Sequence, residues 1–370
     1  MLEEKQMSIE KDLKKDGIEV ISLLDTQTIN LIARLVSEKL ALTFPEHHLL
    51  YENLFIRLSR LHMYRAKMPD GYAEANYLYR NSSIYFKDQK SYSHISNSAI
   101  HECLHHLQEV RDEKNNLIRL GLCDFSDLRT YGLALNEAAV QLMASKALGN
   151  EVEITKYYEI SLPTISPDYY PIICNLVNQM AYVTGEYSLF HSTLYGDDEF
   201  KNQFISLCGE KAFYTIEDRL DDILAVEEKI IYLTNQLNDI DCSDSKVQRV
   251  SKKICHYKEE IKKIFLYTQN LILTSYFDQA FKEISSLDEI EEYRRKLYNY
   301  KNIIGITDDY SFFNDYYLQQ MMLLEEKYEQ LENPMYSLSL IPTHQNIFAK
   351  LFGSIKTLFY HRKTQREKEP

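Results

Sequence analysis

What this chain has little of narrows the field first. It holds ten Gly and eight Pro in 370 residues, roughly 5% against an average of about 12%, so tight turns are scarce and long helices are expected. It has no basic excess: 42 Lys and Arg face 55 Asp and Glu, a formal net charge of −13. A surface of that sign does not replace the counterions of a phosphate backbone, so no nucleic acid is expected among the partners. No uncharged apolar run reaches the length of a membrane-spanning helix. The opening Met1-Leu2-Glu3-Glu4-Lys5-Gln6 lacks the apolar core of a signal peptide. Cys103, Cys123, Cys174, Cys208, Cys242 and Cys255 are scattered with no C-x-x-C pair, which fits free thiols in a reducing compartment. A cytoplasmic location is expected.

What is there, 45% hydrophobic and 26% charged residues, describes a globular protein long enough for a sizeable core. Residues 1–16 alternate charges and are expected to form an exposed leader. Asp25 can cap a helix whose apolar stripe is Ile29, Ile32, Leu35, Val36, Leu40 and Leu42, and a second helix covers about 50–60. His47, His48 and His62 have no metal-ligand spacing and are expected to be solvated or locally hydrogen-bonded. From Leu61 the period changes to that of strands: 61–66, then Ala73–Tyr79 after the turn signal Pro69-Asp70-Gly71, then 83–86. This predicts a sheet of about three strands built on a hairpin. A helix from Ser91 or Ser93 to Val110 follows, then a polar, irregular stretch over 111–129, then a helix from Thr130 to Leu148 stopped by Gly149.

Helices are expected again over 170–184, 187–194 and 198–207. Val226, Ile230, Leu233, Leu237 and Ile240 then recur at alternating spacings of four and three, as do Val247, Val250, Ile254, Tyr257, Ile261, Ile264, Thr268 and Leu271, the pattern of a two-helix coiled-coil arm. Ser286 and Glu289 make a capping box, and a last tyrosine-rich helix covers about 308–331. The segment 341–370 carries six Lys or Arg against two Glu. Its Ile347, Phe348, Leu351, Phe352, Ile355, Leu358 and Phe359 share one helical face, so it can pack on the protein's own acidic helices, dock on an acidic partner or lie on an anionic membrane.

The chemistry concentrates at Ile100-His101-Glu102-Cys103-Leu104-His105-His106-Leu107-Gln108. His-Glu-x-x-His on a helix puts His101 and His105 on one face, about 6 Å apart along the axis. Two imidazoles so placed can bind one Zn²⁺, with Glu102 beside them as general base toward water. His106 is turned roughly 140° from His101 and leaves the ligand face. By chance the motif is expected in roughly one such sequence in forty, so a third ligand matters. Asn136-Glu137-Ala138 lies 32 residues after His105 in an otherwise apolar, alanine-rich helix. A carboxylate there is costly unless it is paired or bound to a metal.

His101-Glu102-x-x-His105 followed by Asn136-Glu137 on a later helix resembles the gluzincin, or thermolysin-like, class of zinc metallopeptidases, over about residues 50–150. The resemblance implies His101, His105 and Glu137 as ligands of Zn²⁺, Glu102 as general base, and a peptide or protein substrate laid along the strand that precedes the helix. It also implies an oxyanion donor from a downstream Tyr or His, for which Tyr182, Tyr187 and His191 are candidates. Where the class has a carboxylate four residues after the third ligand, this chain has Gln141, which can accept a hydrogen bond from imidazole but adds no charge.

The expected fold class is α+β, mostly α-helical: a small mixed or antiparallel sheet packed on a zincin active-site helix pair, followed by a long helical extension. The expected division is a polar leader over 1–20, a zincin-like metallopeptidase domain over 21–210, a helical or coiled-coil extension over 211–335 and a basic amphipathic tail over 336–370. The alternative function is a catalytically inactive zincin-like scaffold, or a membrane-peripheral adaptor, that acts through the helices after 211.

Overall fold

The computed structural model describes residues 17–69, 74–88, 97–125, 131–238, 244–308 and 312–332, with residues 9, 11 and 13–15. The chain is α+β and mostly helical, 67% helix with sheets of two to four strands. By their contacts the residues fall into two units: Met1–Ala280 with Asn299–Ser311, and Phe281–Tyr298 with Phe312–Pro370. Residues 1–8, 10, 12 and 16 of the leader, the turn 70–73, the start of the motif helix before Asn97, the break at 239–243 and the basic segment 341–370 lie outside the described residues.

In the first unit, β1 (Glu19–Leu23), β2 (His62–Lys67), β3 (Ala75–Leu78) and β4 (Ser83–Lys87) form one sheet in the order β1-β2-β4-β3. β1 and β2 are antiparallel, β2 and β4 parallel, and β3 and β4 antiparallel. The sheet thus has one strand more than expected. Its hairpin is β3–β4, with β4 returning between β2 and β3. Burial explains the order: Ser83–Phe86 is buried at every position and belongs in the centre, whereas β3 alternates buried and half-buried and suits an edge. All five residues of β1 are exposed, so no alternation marked it in the sequence. Leu13, just before it, is buried against Ile18, Ala66, Met68 and Tyr85 rather than being exposed leader.

Asp25 caps α1 (Thr26–Thr43) by accepting the Thr28 N–H at 2.9 Å. Ile29, Ile32, Val36 and Leu40 face inward as the spacing requires, but Leu42 is 81% exposed and leaves the stripe. After α2 (Tyr51–Leu58) and the sheet comes α3 (Asn97–Leu107), the motif helix. It ends before Val110, because 109–124 is not irregular: β5 (Glu109–Arg111), β6 (Leu117–Leu120) and β7 (Cys123–Asp124) form a small antiparallel sheet.

The core is built around α4 (Leu133–Leu148), packed by α3, α5 (Pro171–Thr184), α6 (Glu186–Tyr195) and α8 (Glu210–Asn238). Its Ala134, Ala138, Ala139, Ala144 and Ala147 are all buried, and such small side chains let helices approach from several sides. Gly149, at φ 76°, closes it with a Schellman pair: Gly149 N–H to Lys146 O and Asn150 N–H to Ser145 O. A second hairpin, β8 (Glu153–Tyr157) with β9 (Ile160–Thr164), precedes α5 and was not marked in the sequence. α7 (Glu199–Cys208) leads into α8 and the forty-residue α9 (Asp244–Glu283). Val226, Ile230, Leu233, Val250, Ile254 and Ile261 are buried as their repeat predicts, and Lys229 Nζ lies 5.8 Å from the Tyr257 ring centre. No described helix is long and apolar enough to cross a membrane.

In the second unit, the Ser286–Glu289 capping box forms as expected. Glu289 N–H donates to Ser286 Oγ, and Ser286 N–H to Glu289 Oε2. Tyr293 donates its hydroxyl to Gln320 Oε1 at 2.7 Å, inside that unit.

Candidate metal centre

α3 and α4 are neighbours in the core, and their facing sides carry the three residues singled out as ligands. His101 and His105 are each 6% exposed, and the Glu137 side chain is 17% exposed. Their Nε2 atoms are 2.9 Å apart; Glu137 Oε2 is 3.2 Å from His101 Nε2, and Glu137 Oε1 is 3.4 Å from His105 Nε2.

What the imidazoles do on their other side fixes their chemistry. His101 Nδ1 is 3.0 Å from Gln141 Oε1, and His105 Nδ1 is 2.9 Å from Gln108 Oε1. The amide orientations follow from their partners. Gln108 Nε2 donates to the Thr193 carbonyl and to Asn136 Oδ1, and Gln141 Nε2 donates to the hydroxyls of Ser145 and Ser166. A carbonyl oxygen only accepts, so Gln108 must present Oε1 to its histidine. Both rings therefore carry their proton on Nδ1 and turn a lone pair on Nε2 toward Glu137. Two neutral imidazole lone pairs and a carboxylate converge with no donor among them, an arrangement that repels itself unless a cation or a proton lies between.

A tetrahedral zinc with bonds of about 2.0–2.1 Å needs donor–donor edges of about 3.3 Å; the two histidine–carboxylate edges, 3.2 and 3.4 Å, match, and the 2.9 Å between the imidazole nitrogens is shorter. Three neutral-or-acidic N and O donors with a fourth position left over form the donor set of an open zinc site. Without a metal, a proton takes the place. Burial alone would lower the His105 imidazole, but the Glu137 charge and hydrogen bond, with Glu102 and Gln108, hold it up to about 9. Burial alone would raise Glu137; the two imidazoles outweigh that and hold it well below the ordinary carboxylate range.

Glu102, between the two histidines in sequence, points to the sheet edge. Its Oε2 accepts the Tyr77 backbone N–H of β3 at 2.7 Å, while Oε1 has no partner among the described residues. Burial raises its pKa despite the opposing pull of His101 and His105. His106 meets Tyr77 instead: its Nδ1 is 3.2 Å from the hydroxyl, which donates to Glu109 at 2.7 Å. Burial pushes its pKa down to about 4.

Four residues that support the cluster were assigned no role of their own from the sequence. Gln108 and Asn136 join α3 to α4 beneath the ligands, and Asn136 Oδ1 also accepts the Leu122 N–H at 3.1 Å. Gly121 makes room for them: at φ +56°, a Cβ there would lie 1.9 Å from Gln108 Nε2 and 2.5 Å from Asn136 Oδ1. Tyr170, at the N-terminus of α5, has its ring 6.4 Å from that of His101. Its backbone is left-handed (φ 51°, ψ 39°) directly before Pro171, a strained combination for a bulky residue. The loop is anchored to the ligands by a relay from His101 through Gln141 and Ser166 Oγ to the Tyr169 carbonyl. The Glu137 charge, burial and then Glu102 raise the Tyr170 phenol well above its ordinary value.

The three donor candidates from the sequence stand elsewhere. Tyr182 packs on Tyr300, while Tyr187 stacks on both His191 and His47, whose own rings are tilted 6.0 Å apart. His47 is not solvated: it is 1% exposed, neither ring nitrogen has a hydrogen-bond partner, and its closest charge is Glu46 at 3.6 Å. Comparison of the chain with protein-family models, with curated proteins and with solved structures found no match.

Proposed function

We propose that the chain is a zinc-dependent metallopeptidase of gluzincin-like mechanism, with His101, His105 and Glu137 holding the metal. The observation that carries this reading is the convergence of three lone-pair donors, each held by its own packing or hydrogen bonds, beside a carboxylate with one oxygen free. Zinc bound there lowers the pKa of water toward neutrality and polarises a carbonyl oxygen. Glu102, pinned through Oε2 by the Tyr77 N–H, uses Oε1 to accept a proton from the attacking water and returns it to the leaving amine. Burial raises its pKa, which makes it a stronger base toward that proton. The Tyr170 hydroxyl, kept protonated by its acidic surroundings, donates to the oxygen on which negative charge develops. The edge strand β3 offers an extended substrate its outer backbone groups other than the Tyr77 N–H, which Glu102 holds. Among the described residues no cysteine forms a disulfide, in keeping with a reducing, cytoplasmic setting.

The test is peptide-library hydrolysis by the zinc-loaded chain. Glu102→Gln is expected to keep its zinc and lose about 10²–10⁴-fold in kcat. Tyr170→Phe should lose about 10²–10³-fold in kcat with KM little changed. Zinc retained by the wild type with no cleavage of any peptide would instead indicate the catalytically inactive scaffold.

A further inference from the structure

A cavity of about 500 Å³ lies in the first unit, between the ends of β6 and β7, the start of α4 and the N-terminal turns of α7 and α8. That volume is within the range of small-molecule sites, and neither the zinc cluster nor Glu102 lines it. Its lining is acidic: Asp124, Asp197, Asp198, Glu217 and Asp218 stand against the cations of Arg119 and Lys201. Arg119 is already committed to Asp198, at 2.6 Å, and to the Gly121 carbonyl. Lys201 pairs with no carboxylate among the described residues. Its Nζ lies instead 5.0 Å from the ring centre of Tyr214 and 5.9 Å from that of Phe213.

Glu217 is the group whose charge the fold leaves unanswered. It is 8% exposed and stands one helical turn before Asp221 on α8. Asp221 has a partner: it accepts the Ala134 N–H at 2.8 Å, at the start of α4. Glu217 reaches the same helix end, where a Cβ on Gly132 would lie 2.9 Å from its Oε1. Yet it accepts no hydrogen bond and pairs with no cation among the described residues. Buried carboxyls are ordinarily paired or hydrogen-bonded, because leaving them unsatisfied is costly. Its oxygens are not sealed inside the protein, so the cavity is what reaches them. Burial pushes its pKa up to about 7, with Lys201 opposing only in part. Asp218, the next residue on the cavity wall, likewise has no partner among the described residues.

The lining also indicates the kind of ligand. Among the described residues no three carboxylates of the cavity bring their oxygens within 4.8 Å of one another. The negative charge is therefore spread along the wall rather than focused on one metal ion, which needs converging oxygens. The rings of Phe213 and Tyr214 already carry one ammonium, that of Lys201. A methylene chain with more than one ammonium matches this wall, its charges on the carboxylates and its stem on the rings.

We propose that this cavity binds an alkylammonium ligand with at least two cationic centres, held by Glu217 and Asp218 and laid against the rings of Phe213 and Tyr214. The site goes beyond the peptidase reading and does not depend on it. Such ammonium groups come from a free polyamine or from neighbouring lysines of a peptide, and the test separates the two.

The experiment is calorimetric titration of the full chain, with one equivalent of zinc, at pH 8 and constant ionic strength. The probes are spermidine, trilysine, butylamine and magnesium chloride. Spermidine or trilysine is expected to bind one per chain, about tenfold or more tighter than butylamine and magnesium, and whichever binds tighter identifies the source. Glu217→Gln and Asp218→Asn should each weaken that binding about tenfold, the loss of one charge-assisted contact. Glu292→Gln, at an exposed carboxylate of the second unit, should leave it unchanged. Glu217→Gln removes an unpaired buried charge and should melt at or above the wild-type temperature, so lost binding would not reflect unfolding. Lys201→Gln removes the resident ammonium and should tighten binding severalfold, a gain that misfolding does not produce. Absence of saturable binding by either polycation, magnesium binding as tight as theirs, or affinity unmoved in both Glu217→Gln and Lys201→Gln would overturn the proposal.

Discussion

Among the described residues, two groups of histidine and carboxylate bring their donor atoms within 4.8 Å of one another: His101, His105 and Glu137, and His191, Asp197 and Glu199. Proximity does not separate them; what stands behind the donors does. In the first, each imidazole is held by a glutamine whose own amide nitrogen is doubly bonded into the core. In the second, His191 Nε2 is 3.3 Å from Asp197 and 3.9 Å from Glu199, with all three side chains substantially exposed. His191 Nδ1 has no partner, and Asp197 Oδ1 already accepts from Ser192 Oγ and the Glu199 N–H at the start of α7. Solvated side chains must be ordered before they can ligate, whereas the first set is ordered in advance. By its outer hydrogen bonds, rather than by its ligand triplet, the first group is the better candidate for a metal centre.

The largest expected effect breaks the comparison at the ligands. His101→Ala or His105→Ala should weaken zinc binding by about 10³-fold or more, because a two-donor remnant lacks the third protein ligand, while His191→Ala should leave the high-affinity site intact. Competition titration against a chelating dye measures both. Gly121→Ala should cost about 3 kcal/mol or more in chemical denaturation, since its Cβ would collide with the buried amides of Gln108 and Asn136 at a left-handed backbone.

A smaller effect sharpens the comparison at the outer hydrogen bonds. Gln108→Leu and Gln141→Leu keep every ligand and should still lose about 10–100-fold in zinc affinity by the same titration. The smallest effect concerns pH. His105 has its metal-free pKa raised to about 9, so below that pH the cluster holds a proton that zinc must displace. Apparent zinc affinity should therefore rise as pH increases from 6 toward 9 and level off above it. Calorimetry in buffers of different ionisation enthalpy should find about one proton released per zinc near pH 7.

Much of this was legible in the sequence wherever local chemistry decides. Asp25 and the Ser286–Glu289 box announced helix starts, Gly149 a helix stop, and the spacing of His101, His105 and Glu137 brought together residues that the structure places on facing helices. The remainder depends on long-range packing. β5 to β7 have only two to four residues each, too few to show a period, so 109–124 resembled a loop. β2 and β3 both have strand character, and nothing local says that β4 comes between them. Tyr170 is one of 29 tyrosines and is distinguished only by the helix it caps and the relay behind it. Glu227 sits in Glu227-Glu228-Lys229 and has the look of a solvated run; only the neighbours of α8 bury it.

The central claim is that one of the two histidine–carboxylate groups is a zinc centre and the other is not. Anomalous scattering at the zinc absorption edge, from crystals grown with one equivalent of zinc, tests it most directly. The expected result is one strong peak between His101 Nε2, His105 Nε2 and the Glu137 carboxylate, with none beside His191. A peak at His191, Asp197 and Glu199 alone, or no peak at either group, would contradict the account.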